Sequence, residues 1–149
     1  MRLVVLEKMA CSDKPSLLMA VMGGIFSEGV DYPGEMAIGA FIVSPALPSL
    51  SPEQEILRDY YDAKCGMGFD YAYIYPGMQR VIQAAGRVIR TPKDKGVIVL
   101  LGERFSDLPY QKLIPEHWYD RKIEELAADD PVERIKRFWE RVRIETSHL

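Results

Sequence analysis

Residues 76–101 read PGMQRVIQAAGRVIRTPKDKGVIVLL, and a change of pattern inside this stretch decides the fold class. From Pro76 onward Met78, Val81, Ile82, Ala85, Val88 and Ile89 recur at helical spacing, which predicts one long helix. Thr91-Pro92 stops it, because proline disfavours helical geometry in the residue before it. Lys93, Asp94, Lys95 and Gly96 supply a polar turn, and 97–101 (VIVLL) is an unbroken apolar run of strand length. Such a run suits a strand buried on both faces, as in a parallel sheet.

Outward from there, 37–44 (AIGAFIVS) reads as a second buried strand, closed by Pro45 and Pro48. A third, 16–21 (SLLMAV), ends at Gly23-Gly24, where a loop needs glycine's backbone freedom. Residues 1–9 are too short for periodicity to separate strand from helix. Between strands, 47–64 (LPSLSPEQEILRDYYDAK) opens a helix. Ser51 caps it, Pro52 suits its first turn, and Glu53 and Glu55 favour the positive end of its dipole. Gly66 and Gly68 break it. The remainder reads as mostly helical, with a short piece at 110–117 and an amphipathic helix at 131–144. Strands alternating with helices predict an α/β layered fold with a mainly parallel sheet flanked by helices. The expected organisation is one domain over 1–149, with a core at 16–105 and a helical tail at 106–149.

Hydrophobic residues at 48% and charged residues at 28% match an ordinary globular chain. A net charge of −3 counts against a free-standing nucleic-acid binder, although a local basic patch on a larger machine stays open. Two cysteines, Cys11 and Cys65, cannot build a four-cysteine zinc or iron–sulfur site, so no metal site is expected in this chain and a reduced cytoplasmic setting fits. No apolar run approaches the roughly 18–20 residues of a membrane span, and Glu7 and Lys8 interrupt any secretory pattern. No membrane partner is expected.

Two segments carry chemistry. In 23–34 (GGIFSEGVDYPG), two glycines after a strand let backbone amides turn toward a ligand, while Ser27, Glu28 and Asp31 suit ribose hydroxyls or the loop's own main chain. By composition alone a tight structural turn fits equally well. In 83–90 (QAAGRVIR), helical spacing puts Gln83, Gly86, Arg87 and Arg90 on one face. Gly86 inside a helix costs about 1 kcal/mol relative to alanine, which invites the reading that something approaches that face closely. Two guanidiniums one turn apart form a clamp for phosphate oxygens, provided no acidic neighbour ties them up. The plainer reading is a solvated polar face. Likewise Tyr60, Tyr61, Tyr71 and Tyr73 suit packing better than base stacking, and His117 and His148 suit packing or surface roles.

Together, GGIFSEGVDYPG followed by QAAGRVIRTPKDKGVIVLLGERF resembles motifs V and VI of DinG/XPD-like superfamily-two DNA helicases. The resemblance runs from about residue 16 to residue 105, and both motifs belong to the family's second RecA-like lobe. It departs at Gly102-Glu103-Arg104-Phe105, where the family commonly has Asp-x-Arg-Phe, so no role of that aspartate carries over. The resemblance implies that Gly24, Ser27, Glu28, Gly29, Asp31, Gln83 and Gly86 contact nucleotide and that Arg87 and Arg90 act as arginine fingers. It also implies ATP and Mg²⁺ held mainly by a first lobe of the same polypeptide, single-stranded DNA as partner, work in DNA repair, and a place in cytoplasm, nucleoid or nucleus. A 4Fe-4S cluster would belong to the full-length protein only. No Gly-x-x-x-x-Gly-Lys-Ser/Thr loop and no Asp-Glu-x-His box occur in the 149 residues, so the lobe lacks the phosphate loop and the chain alone is expected to be inactive. The alternative is a non-catalytic helicase-like module for nucleic-acid or protein contacts.

Overall fold

A computed structural model describes residues 9, 11–12, 14–24, 26, 29, 32, 36–91 and 93–146. Strand β1 (Gly39–Val43) leads through Pro45 and Pro48 into helix α1 (Pro52–Cys65). Ser51 caps α1 as its composition predicts, its hydroxyl accepting from the Gln54 N–H at 3.3 Å. Gly66 closes it in the left-handed region at φ 69°, where a side chain would be strained.

A π-helical turn (Asp70–Ile74) follows and runs into helix α2 (Tyr75–Ala85). The cause is Pro76. It has no N–H, and its ring would crowd the carbonyl four residues back in a normal helix, so the wider turn opens just before it. Tyr75 N–H accordingly reaches the Asp70 carbonyl five residues earlier. Buried Tyr73 ties this turn to α1. Its hydroxyl donates to Glu55 Oε1 at 2.6 Å, while Arg58 pairs with Glu55 Oε2 at 2.6 Å.

Strand β2 (Val97–Leu101) returns beside β1 in parallel, with Gly39 opposite Val97 and Val43 opposite Leu101. A 3₁₀ turn (Glu103–Ser106), a short helix α3 (Leu108–Gln111), two further 3₁₀ turns and the long helix α4 (Pro131–Thr146) complete the described chain. Lys95 Nζ reaches Glu145 at 3.1 Å, joining the turn before β2 to α4.

The core gathers Ile42 from β1, Ile74, Met78, Val81 and Ala85 from the π turn and α2, and Phe105, Tyr110 and Ile114 after β2. Alternation along β1 sets the layers: Ile42 is buried on α2, while Phe41 and Val43 point away and are exposed. Parallel strands joined through helices make this the α/β fold predicted, of RecA-like type.

The strand expected at 16–21 does not form, since that segment has no regular structure and Leu17, Met19 and Val21 are all more than 80% exposed. A strand exists only where a neighbour accepts its ladder bonds, and among the described residues the sheet consists of β1 and β2 alone. The reading of 1–9 lies outside the described residues except for Met9.

Candidate functional site

Gly23-Gly24 form a built turn. Gly24 N–H donates to the Val21 carbonyl at 3.0 Å, and Gly23 between them has φ 80°, the geometry of a type II turn. A Cβ on Gly24 would lie 2.8 Å from the Val21 carbonyl oxygen, so this position excludes every residue but glycine without a shift. Gly29 sits in an exposed bend. Ser27, Glu28 and Asp31 lie outside the described residues. Farther on, the Tyr32 hydroxyl donates to the Phe26 carbonyl at 2.7 Å.

The second segment differs from its sequence reading. Helix α2 ends at Ala85 instead of continuing through Ile89. Arg87 N–H bonds to the Ala84 carbonyl at 3.1 Å and Val88 N–H to Ala85 at 3.0 Å, three residues back in each case, so the last turn tightens. Beyond it, Asp94 Oδ2 accepts from the N–H groups of Arg90 at 2.9 Å and Thr91 at 2.8 Å. A side-chain acceptor for those amides competes with helix continuation, and glycine at 86 weakens the helix where the competition occurs. Of the four residues expected on one helical face, only Gln83 lies within the helix; Gly86 caps it, Arg87 is in the turn and Arg90 lies beyond it outside any regular element. Ile89, expected to pack on the sheet, is 42% exposed, whereas Val81, Ala85 and Val88 are buried as expected.

Nor is Arg90 without an acidic neighbour: its Nε lies 3.9 Å from Asp94 Oδ2. A Cβ on Gly86 would meet only the Ile82 and Gln83 carbonyls at ordinary contact, 3.4 and 3.6 Å, so nothing among the described residues demands glycine there.

Burial pushes the Tyr32 phenol above its ordinary range, and the Arg87 guanidinium partly offsets this. Arg87 is half-buried, Gln83 and Gly86 are exposed, and Arg90 lies farther along the chain. The Asp94 carboxyl is held below its ordinary range by the two backbone N–H donors, with smaller help from Arg90. Sequence reasoning passed over both Tyr32 and Asp94. A signal for Asp94 was present, since a short carboxylate three and four residues after Thr91 and Arg90 is placed to accept their amides.

Among the described residues no group of three or more His, Cys, Asp or Glu side chains converges to hold a metal ion. Cys11 and Cys65 are unbridged, exposed thiols, and two such ligands do not fit a four-cysteine cluster. No helix of the described residues is long and apolar enough to cross a membrane. The tyrosines divide. Tyr73 is buried, Tyr61 and Tyr71 stack on each other at 4.1 Å, and Tyr60 stands 55% exposed.

Comparison with known proteins agrees with this geometry. Residues 3–121 match the helicase C-terminal domain family, covering both segments and ending before α4. The chain is 30% identical over 124 residues to a probable ATP-dependent helicase of Methanocaldococcus jannaschii, covering 77% of this chain and 19% of that protein. It is 34% identical over 104 residues to the ATP-dependent DNA helicase DinG of Photobacterium profundum, covering 69% of this chain and 15% of that one. With the XPD helicase subunit of general transcription and DNA repair factor IIH from Dictyostelium discoideum it shares 25% over 113 residues, covering 73% of this chain and 14% of the relative. The chain thus spans less than a fifth of the length of these relatives. Its match over residues 3–121, the relatives and the parallel α/β architecture agree: the chain belongs to the helicase C-terminal domain family, within the DinG/XPD-like group of superfamily-two helicases.

Proposed function

We propose that this chain is part of the second motor lobe of an ATP-dependent DNA helicase, in which it completes an ATP site shared with a first lobe. Arg87 and Arg90 supply cations to the charge that develops on the γ-phosphate. Gly24, Ser27, Glu28, Gly29 and Asp31, with Gln83 and Gly86, face the nucleotide from the same side. ATP and Mg²⁺ are held mainly by the first lobe, because the phosphate-loop lysine and the magnesium carboxylate have no counterpart in this sequence. The 149-residue chain by itself is accordingly inactive. In the full-length protein, closing and opening of the two lobes drives steps along single-stranded DNA.

The observation that carries this reading is the match of residues 3–121, which hold both motif segments, to the helicase C-terminal domain family. Within that stretch a type II turn begins the loop, and the tightened end of α2 presents Arg87. A half-buried guanidinium suits an anion brought by a partner surface.

The experiment is ATP turnover by the full-length protein with Arg87→Ala or Arg90→Ala. Each change should lower DNA-stimulated turnover by about a hundredfold or more, as loss of a positioned charge does in phosphoryl transfer, with the melting temperature nearly unchanged. Arg87→Lys should rescue poorly, since an ammonium lacks the paired planar donors. Near-normal turnover in both alanine variants would sink the assignment. The second reading, a non-catalytic interaction module, draws support from the tie between Arg90 and Asp94, which gives that arginine a structural occupation of its own.

A further inference from the structure

The proposed function makes no use of Asp94, although the turn after α2 is built around it. Its Oδ2 accepts from the Arg90 N–H at 2.9 Å and from the Thr91 N–H at 2.8 Å. Its own N–H donates to the Thr91 carbonyl at 3.0 Å. The same Oδ2 stands 3.9 Å from Arg90 Nε, an ion-pair contact in which the Arg90 side chain is 28% exposed and that of Asp94 14%. Both ends of the turn are anchored. Before it Val88 is buried, and Gly96 lies so close that a Cβ there would meet Val88 Cγ1 at 2.6 Å. After it the Val97 N–H donates to the Ile38 carbonyl at 3.0 Å, where the ladder of β2 begins. Arg90 is therefore carried on a closed turn between two anchored points.

We infer that Asp94 is a positioning residue: its carboxylate holds the main chain of Arg90 and the Nε side of the Arg90 guanidinium, and so presents that cation from the turn. An arginine on its long stem loses rotamer freedom when it meets an anion, and a contact at Nε has already removed part of that freedom. The Nη groups lie at the far end of the side chain from that contact and form the paired donors that suit a phosphate. The carboxylate also offsets some of the guanidinium's charge, so the same contact weakens the field while fixing its place. This inference rests on the proposed catalytic role of Arg90.

The test is a double-mutant cycle in the full-length helicase, reading DNA-stimulated ATP turnover for Asp94→Asn, Arg90→Ala and the pair. Asparagine keeps a carbonyl oxygen for the two amides and removes the charge beside Nε. The melting temperature should therefore nearly hold while kcat falls about three- to tenfold, the range of one lost polar contact. The KM for ATP should change less than kcat, because the carboxylate acts on the placement of a cation used in the transition state. In the Arg90→Ala background Asp94→Asn should have no further effect, since its route to the chemistry is already gone. If Arg90→Ala is severe and Asp94→Asn is neutral, the positioning role is wrong while the arginine role stands. A kcat that rises in Asp94→Asn also overturns it, because the carboxylate is then a brake on Arg90. Losses that multiply in the pair overturn it as well, since Asp94 then acts through the fold at large. If Arg90→Ala is itself neutral, the arginine role fails and the positioning role falls with it.

Discussion

Residues 16–21 (SLLMAV) and strand β2 (VIVLL) are close in composition and opposite in outcome. The first has no regular structure and leaves Leu17, Met19 and Val21 exposed. The second forms five residues of parallel ladder in register with β1 and sends Ile98 and Leu100 toward the core. Each run is apolar enough to be a buried strand, and each is bounded by polar or glycine residues. The difference is the neighbour. β2 finds β1 on one side, and its Ile98 and Leu100 pack against the core. Residues 16–21 join no strand ladder among the described residues. Apolar composition states a requirement for burial, and only another surface meets it.

The same contrast divides the whole chain. From residue 39 to residue 126, the two strands, α2 and the turns after β2 contribute to one core, on which α1 has no buried residue. Among the described residues before 39, Met22 is packed against that core.

The largest test of this contrast is Met78→Ala. Met78 is 2% exposed at the centre of α2, and truncating it should destabilise the isolated chain by about 2–5 kcal/mol in thermal or urea melts. A loss below ~1 kcal/mol would mean that the core around α2 is not what holds the chain.

An intermediate effect is expected from Asp94, which joins the end of α2 to the turn before β2. Its folded-state pKa lies below the unfolded value, so its contribution is complete above the ordinary carboxylate range and disappears as pH falls through the lowered folded value. Asp94→Ala should lower the melting temperature by a few degrees at pH 7. The gap between variant and parent should close as the solution is acidified below about pH 4. A gap that stays constant down to pH 2 would show that the carboxylate's bonds to the Arg90 and Thr91 amides do not matter.

The smallest expected effect is at Met19, 88% exposed in the segment without regular structure. Met19→Ser should change the stability of the isolated chain by no more than about 0.5 kcal/mol. The informative companion is the same substitution in the full-length protein. There a loss well above that figure, measured by the same melts, would show that 16–21 gains a covering surface that the 149 residues do not provide.

Some features were legible because they depend on nearby residues. The Ser51 cap, Pro52 in the first turn and the halt at Gly66 are local events, and α1 follows them closely. Strand β2 was legible to its ends because Gly96 and Gly102 bound an unbroken apolar run. The end of α2 was not. The apolar spacing continues to Ile89, but the Asp94 carboxylate takes the amides of Arg90 and Thr91 and the chain leaves the helix after Ala85. Periodicity counts apolar side chains and does not see that the carboxylate three and four residues on will claim those amides. For the same reason Gln83, Gly86, Arg87 and Arg90 share a sequence face without sharing a helical one.

By itself the sequence determined the α/β class, the caps and bounds of α1, the residues of β2 and the pairing of two motif-bearing segments. Those are set by local sterics, backbone preferences and the order of apolar runs along the chain. Only the tertiary structure decided that 16–21 joins no sheet among the described residues and that α2 stops before Arg87 and Arg90. Each of these depends on which groups a segment meets when the chain folds. Hydrogen-bond partners and burial are properties of such meetings, and a linear pattern carries the demand for them without naming the partner.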